Sequence, residues 1–182
     1  TRQDIYSTLR EHFEPIQTPH YLQVESLEDL TPAIELYHTL IELGRYKDAF
    51  TVFEDRLDYA TLWRLSASRL RVELVERLFP DGVDCPPRQS SPRDQSYALN
   101  SLALAYLLSG QPGAAVPVFR QAAEIDKQEK DQLNLSVDLC NLSDAQRLTG
   151  DVRWAEPSAR AALRITREQK NEFQEAVSLY ML

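Results

Sequence analysis

The sequence predicts an all-α protein built as a stack of antiparallel helix pairs, and three observations carry that expectation. The first is self-similarity. Leu99–Gly110 (LNSLALAYLLSG) and Leu139–Gly150 (LCNLSDAQRLTG) are copies of one segment, with Ala115 and Ala155 five residues past their glycines. Phe119 with Ala122, and Ala159 with Ala162, complete the pattern. A fainter copy runs through Leu36, Leu40, Gly44, Tyr46, Ala49 and Phe53. A unit repeated in this way leans on its neighbours and does not close a core alone. The second observation is composition: five glycines in 182 residues, with leucine and alanine abundant, favour helix. The third is apolar spacing of four, in Ile5, Leu9 and Phe13 and again in Leu70, Leu74 and Leu78.

Each element follows from local signals. The first stripe predicts a helix over 2–14, ended by Pro15 and Pro19. Ser26 with Asp29, and Thr31 before Pro32, are helix starts, so the first helix of a pair begins near Leu27 or Pro32. It runs to Leu43 and stops at Gly44, and Tyr46–Leu57 is its partner. An irregular pair follows, a short Tyr59–Leu65 and a longer Ala67–Phe79. Pro80 to Pro92, with Gly82, Pro86 and Pro87, reads as a loop or hinge without an apolar anchor pattern. Gly44 and Gly110 are 66 residues apart, not a multiple of the 40 that separates Gly110 from Gly150, so repeat register is lost there. Ser91-Pro-Arg-Asp94 restarts helix. Helices are then expected near 92–109, 112–129, 131–149, 152–170 and 172–182. Pro117 and Pro157, each seven residues past a turn glycine, are expected to delay or bend the second helix of each pair. The expected division is an N-terminal helix and connector at 1–26, two helix pairs at 27–79, a loop at 80–91 and the repeat array at 92–182. The opening at Thr1, and an end (EAVSLYML) that reads as the first helix of a further unit, lead us to expect a segment of a longer protein.

Charge and composition narrow the function. With 43% hydrophobic and 26% charged residues the chain is globular. A net charge of −8 argues against a general nucleic-acid binder or adsorption to anionic membranes, both of which need basic patches. No apolar run reaches the roughly 18 residues of a membrane span, and no signal-peptide pattern is present. Cys85 in a loop and Cys140 in a leucine-rich helix demand no disulfide, and reduced thiols in a cytoplasm are the expected state. No metal or cofactor is expected: His12, His20 and His38 lack ligand spacing, and no phosphate-binding, hydrolase or zinc motif occurs. A nucleophile, a base and an orienting group cannot be assembled, so the chain is not expected to be an enzyme. The charge run Asp126–Asp131 reads as a solvated turn between repeats, and Trp63 and Trp154 as packing residues.

The two leucine-rich copies, their turn glycines and the Ala and aromatic positions that follow resemble the tetratricopeptide repeat family. The resemblance covers roughly residues 30–57 and 95–182. It departs from the family in the leucines Leu99 and Leu139, which stand where an aromatic is usual. It departs also in a period of 40 where about 34 is usual. The longer period resembles arrays in kinesin light chains and in large bacterial signalling ATPases of the NACHT or NB-ARC type. The block Leu74–Gly82 looks most like the bacterial setting.

This resemblance implies a right-handed α-solenoid whose first helices line a concave groove. Carried onto this chain, the groove positions are Tyr97, Asn100, Leu104 and Leu107 in one unit and Val137, Cys140, Asp144 and Arg147 in the next. His38 and Ile41, and Val177 and Tyr180, are weaker equivalents. The implied function is a non-catalytic protein-binding module within a larger intracellular protein, holding a peptide or a neighbouring domain. The oligomeric state is open. A small-ligand-sensing solenoid of a regulator and an accessory domain of an enzyme are the alternatives. The concentrated basic clamp that binds C-terminal carboxylates in some relatives is missing, so that ligand is not expected.

Overall fold

The computed structural model describes residues 1–89 and 91–182, and every regular element among them is helical. The chain divides into two compact units, Thr1–Gln89 and Ser90–Leu182.

The first unit opens with α1 (Arg2–Phe13), started by a capping box in which the Asp4 N–H donates to the Thr1 hydroxyl. Two short 3₁₀ turns, Tyr21–Gln23 and Leu27–Leu30, lead to α2 (Thr31–Glu42). The Asp29 carboxylate accepts from the N–H groups of Glu25 and Ser26, which holds it below the usual carboxylate range. Gly44 ends α2 with φ +71°, a conformation that glycine adopts without strain.

After α3 (Tyr46–Val52) the helix widens into π turns at Phe53–Leu57 and Ala60–Arg64, where a regular helix to Leu57 was expected. The cause lies in α4 (Ser68–Glu76), whose Arg71 is fully buried. It pairs with Asp58 at 2.7 Å and donates to the Asp58 carbonyl and to Thr61 Oγ1. The widened turns present oxygens to Nη1 of this buried guanidinium, while its Nε stays without a partner. The core around it is Leu36, Tyr37, Phe53, Leu57 and Leu74, with Tyr37 Oη donating to the Leu74 carbonyl.

Residues 79–89 are better anchored than the composition of the loop suggests. Phe79, Pro87 and Gln89 are buried, Gln89 Nε2 donates to the Tyr46 carbonyl, and Arg88 pairs with Asp81 at 2.9 Å.

The second unit is five helices in order: α5 (Pro92–Leu108), α6 (Pro112–Glu129), α7 (Gln132–Leu148), α8 (Val152–Glu168) and α9 (Glu172–Tyr180). Side-chain caps start the first helix of each pair, Ser91 for α5, Asp131 for α7 and Asn171 for α9. Gly110 and Gly150 make the turns within pairs. Between pairs the same left-handed turn is made by Lys130 (φ +61°) and Lys170 (φ +53°), 40 residues apart like the glycines. Consecutive helices pack, and α7 also touches α5 and α9, so the first helices of successive pairs adjoin. This is the all-α solenoid arrangement the repeat implied. The recurring positions Ala115, Phe119, Ala155 and Ala162 are buried, as are Leu102, Ala103 and Leu142 of the two leucine-rich copies.

Helices α6 and α8 begin at Pro112 and Val152, ahead of Pro117 and Pro157, so neither starts late at its proline. One expectation fails here. Trp63 and Trp154 are exposed at 69% and 57%, so neither is a packing residue.

Candidate functional site

Tyr97 and Asn100 lie three residues apart on α5, and Asn134, Val137 and Asp138 share one face of α7. With Ser96 and Asp126, at the end of α6, they enclose a cavity of about 130 Å³. Three of the expected groove residues, Tyr97, Asn100 and Val137, are thus brought together.

The floor of this cavity is acidic, which sequence reasoning missed. Asp126 and Asp138 are 2% and 1% exposed. Asn100 Nδ2 donates to Asp138 Oδ1, and the Ser96 hydroxyl bonds the Asp126 carboxyl. No donor reaches Oδ2 of either aspartate. Burial pushes the Asp138 carboxyl up to about 9, with the charges of Asp126 and Asp131 acting the same way and the Asn100 bond opposing. Burial also raises Asp126. At neutral pH the pair therefore carries a proton, held in the hydrogen bond between the two carboxyls. The charge run reads as a solvated turn, but Asp126 at its start is buried. The signal that could have found it is the 40-residue period itself, which sets Thr166 and Ser178 opposite Asp126 and Asp138. One copy has two acids where the next has two hydroxyls.

The remaining expected positions scatter. Leu104 is half-buried, and Leu107 is buried. Cys140, at 1% exposure, faces α9: its Sγ lies 3.2 Å from Ser178 Oγ, and burial pushes the thiol up. It packs between helices and presents nothing to a partner. Asp144 and Arg147 pair with each other at 2.6 Å on the surface. In the first unit Ile41 is core, and His38 is half-buried with Nδ1 3.1 Å from Arg77 Nη1. Its burial, and then the Arg77 charge, hold the His38 pKa below the usual histidine value. Val177 is half-buried and Tyr180 fully open.

Two larger grooves join elements too distant in sequence to be foreseen. One, about 730 Å³, opens between α6 and α8 over Leu135, Leu139, Leu142 and Ile165, with Arg120, Glu124, Arg164 and Glu168 at its rim. The other, about 720 Å³, lies in the first unit between residues 17–21 and 54–60, with the Tyr21 and Tyr59 rings 5.5 Å apart. Among the described residues no three His, Cys, Asp or Glu side chains converge as metal ligands would. No helix among them is long and apolar enough to cross a membrane.

No curated protein matches the chain. Residues 98–133, which take in most of α5, all of α6 and the start of α7, match the model of the tetratricopeptide repeat family.

Proposed function

We propose that the second unit is a non-catalytic binding module that holds a peptide or a neighbouring domain against its first helices. Tetratricopeptide repeats generally mediate protein–protein interaction, and the match at residues 98–133 supports that class of function here. The observation that carries the reading is the cavity between α5 and α7. It brings the Tyr97 ring together with the Asn100 and Asn134 amides, groups that can meet a peptide's side chains and backbone. The ligand-sensing solenoid is the second reading. The larger setting we propose is a multidomain intracellular signalling protein, in which the module would receive a segment of the same chain or of a partner.

The test is selection of peptides from a random display library on the whole chain, followed by substitution. Tyr97→Ala with Arg147→Ala should weaken selected peptides by about 2 kcal/mol or more without lowering the melting temperature, since Tyr and Arg dominate interface energies. Arg120→Ala, at the rim of the α6–α8 groove, should leave binding unchanged. Peptides that respond to Arg120 and ignore Tyr97 would move the working surface to that groove.

A further inference from the structure

We propose that the groove between α6 and α8 is a second docking surface, which receives an amphipathic helix of a partner protein. That helix carries aliphatic side chains along one face and acidic residues beside them at one end. The groove is independent of the α5–α7 cavity. Asn134, Val137 and Asp138 of α7 line the cavity, whereas Leu135, Leu139 and Leu142 of the same helix line the groove. Its shape is a trough for a rod. Both α6 and α8 pack on α7, and the space of about 730 Å³ between them has α7 as its floor. Leu135, Leu139 and Leu142 stand at i, i+4 and i+7, so the floor is an apolar stripe along the trough. Ala123 and Ala161 form the walls where longer side chains would fill the space, and Leu139 and Ala161 are only half-buried. Aliphatic side chains at the same spacing on a partner helix would lie against that stripe and bury it.

Charge decides which helix fits. Arg120 stands on the α6 rim with Glu124 and Lys127, and Arg164 and Glu168 stand on the α8 rim. Lys127 is paired with Glu124 at 3.7 Å, and elsewhere on α8 Arg160 is paired with Glu156 at 2.7 Å and Arg167 with Glu175 at 2.8 Å. Arg120, Arg164 and Glu168 are exposed, and none of them has an ion-pair partner among the described residues. The 40-residue repeat sets Arg164 about one helical turn beyond Arg120 along the trough, and Glu168 about two. Two unpaired guanidinium groups therefore stand on opposite walls toward one end, and an unpaired carboxylate stands toward the other. In a chain of net charge −8 this end is a local exception. Carboxylates on a partner helix are attracted at the first end and repelled at the second, which gives the partner a direction as well as a sign.

The experiment is a fluorescence-anisotropy titration of the whole chain with a labelled alanine-based peptide of about four helical turns. It carries leucines at i, i+4 and i+7, two glutamates beside the first leucine and a lysine beside the last. Two comparison peptides replace the glutamates by glutamines or by lysines. We expect saturable binding of the glutamate peptide, about fivefold weaker binding of the glutamine peptide, and about tenfold or more weaker binding of the lysine peptide.

Arg120→Glu with Arg164→Glu changes only exposed rim positions and should invert the order, so that the lysine peptide binds better than the glutamate one. An inverted preference cannot come from lost folding. Ala161→Phe fills the trough from its wall and should weaken all three peptides about tenfold or more, whereas Tyr97→Ala should leave them unchanged. No binding by the glutamate peptide, equal binding by the three, or an order that survives the charge reversal would overturn the proposal. Binding that falls with Tyr97→Ala and ignores Ala161→Phe would overturn it as well, by placing the peptide in the α5–α7 cavity.

Discussion

Asp138 makes the stability of the chain depend on pH in the direction opposite to most carboxylates. Its carboxyl, pushed up to about 9 by burial, keeps a proton that the unfolded chain releases near pH 4. Between those values the folded state binds more protons, so stability present at low pH is lost as pH rises toward 9. The slope is at most about 1.4 kcal/mol per pH unit. Asp138→Asn should flatten that slope, melting no lower than the parent at pH 8 and showing no gain at pH 5. A parent and variant with parallel melting-temperature profiles would count against the shared proton. The cysteines give a second residue-level check. Cys85 is exposed and Cys140 buried, so a thiol reagent should consume one equivalent at once and the second only on unfolding. Two fast equivalents would place Cys140 at the surface.

Among the helices, the small residues of α8 set how closely it approaches α7. Ala155 is buried, and its carbonyl accepts from Ser143 Oγ at 2.8 Å, so the two backbones pass close together. Ala155→Leu should overpack that crossing and cost about 1–3 kcal/mol in denaturant unfolding. A variant as stable as the parent would mean the crossing has room. The same element explains what sequence could and could not show. Alanines and glycines recurring at fixed offsets betray helix crossings directly, because only small side chains fit there. The widened turns after α3 follow from Arg71, which reaches back from 13 residues away to Asp58, and no local pattern announces such a contact. Trp154 sits next to Ala155 on a strongly one-sided helix, yet the side it occupies is decided by what α8 packs against. The acidic floor escaped for a related reason. Asp126 and Asp138 belong to different helices, and polarity in a sequence does not reveal that two acids are buried together.

At the scale of the whole molecule, the chain leaves the first compact unit after Gln89, at the end of the segment 80–89. Asp81, Asp84 and Cys85 in it are exposed, whereas Phe79, Pro87 and Gln89 are held. A protease that cuts before aspartate should therefore cleave first at Asp81 or Asp84 and leave a helical fragment ending at Leu182 that resists further digestion. First cleavage between 95 and 130 would show that the second unit does not stand as one body.

The contact of each first helix with the next recurs at a separation of 38 residues, Asn100 with Asp138 and Cys140 with Ser178. One joint is written in amide and acid, the other in thiol and hydroxyl. Identical units could be shuffled or duplicated at no cost, but these cannot. Excising residues 111–150 would bring Asn100 against Ser178 and close the joint without a buried acid, whereas duplicating the repeat at residues 92–131 would seat Ala98 where Asn100 needs Asp138. The order of the repeats is thereby inscribed in their seams, and a lineage that tolerates loss of a repeat need not tolerate its gain.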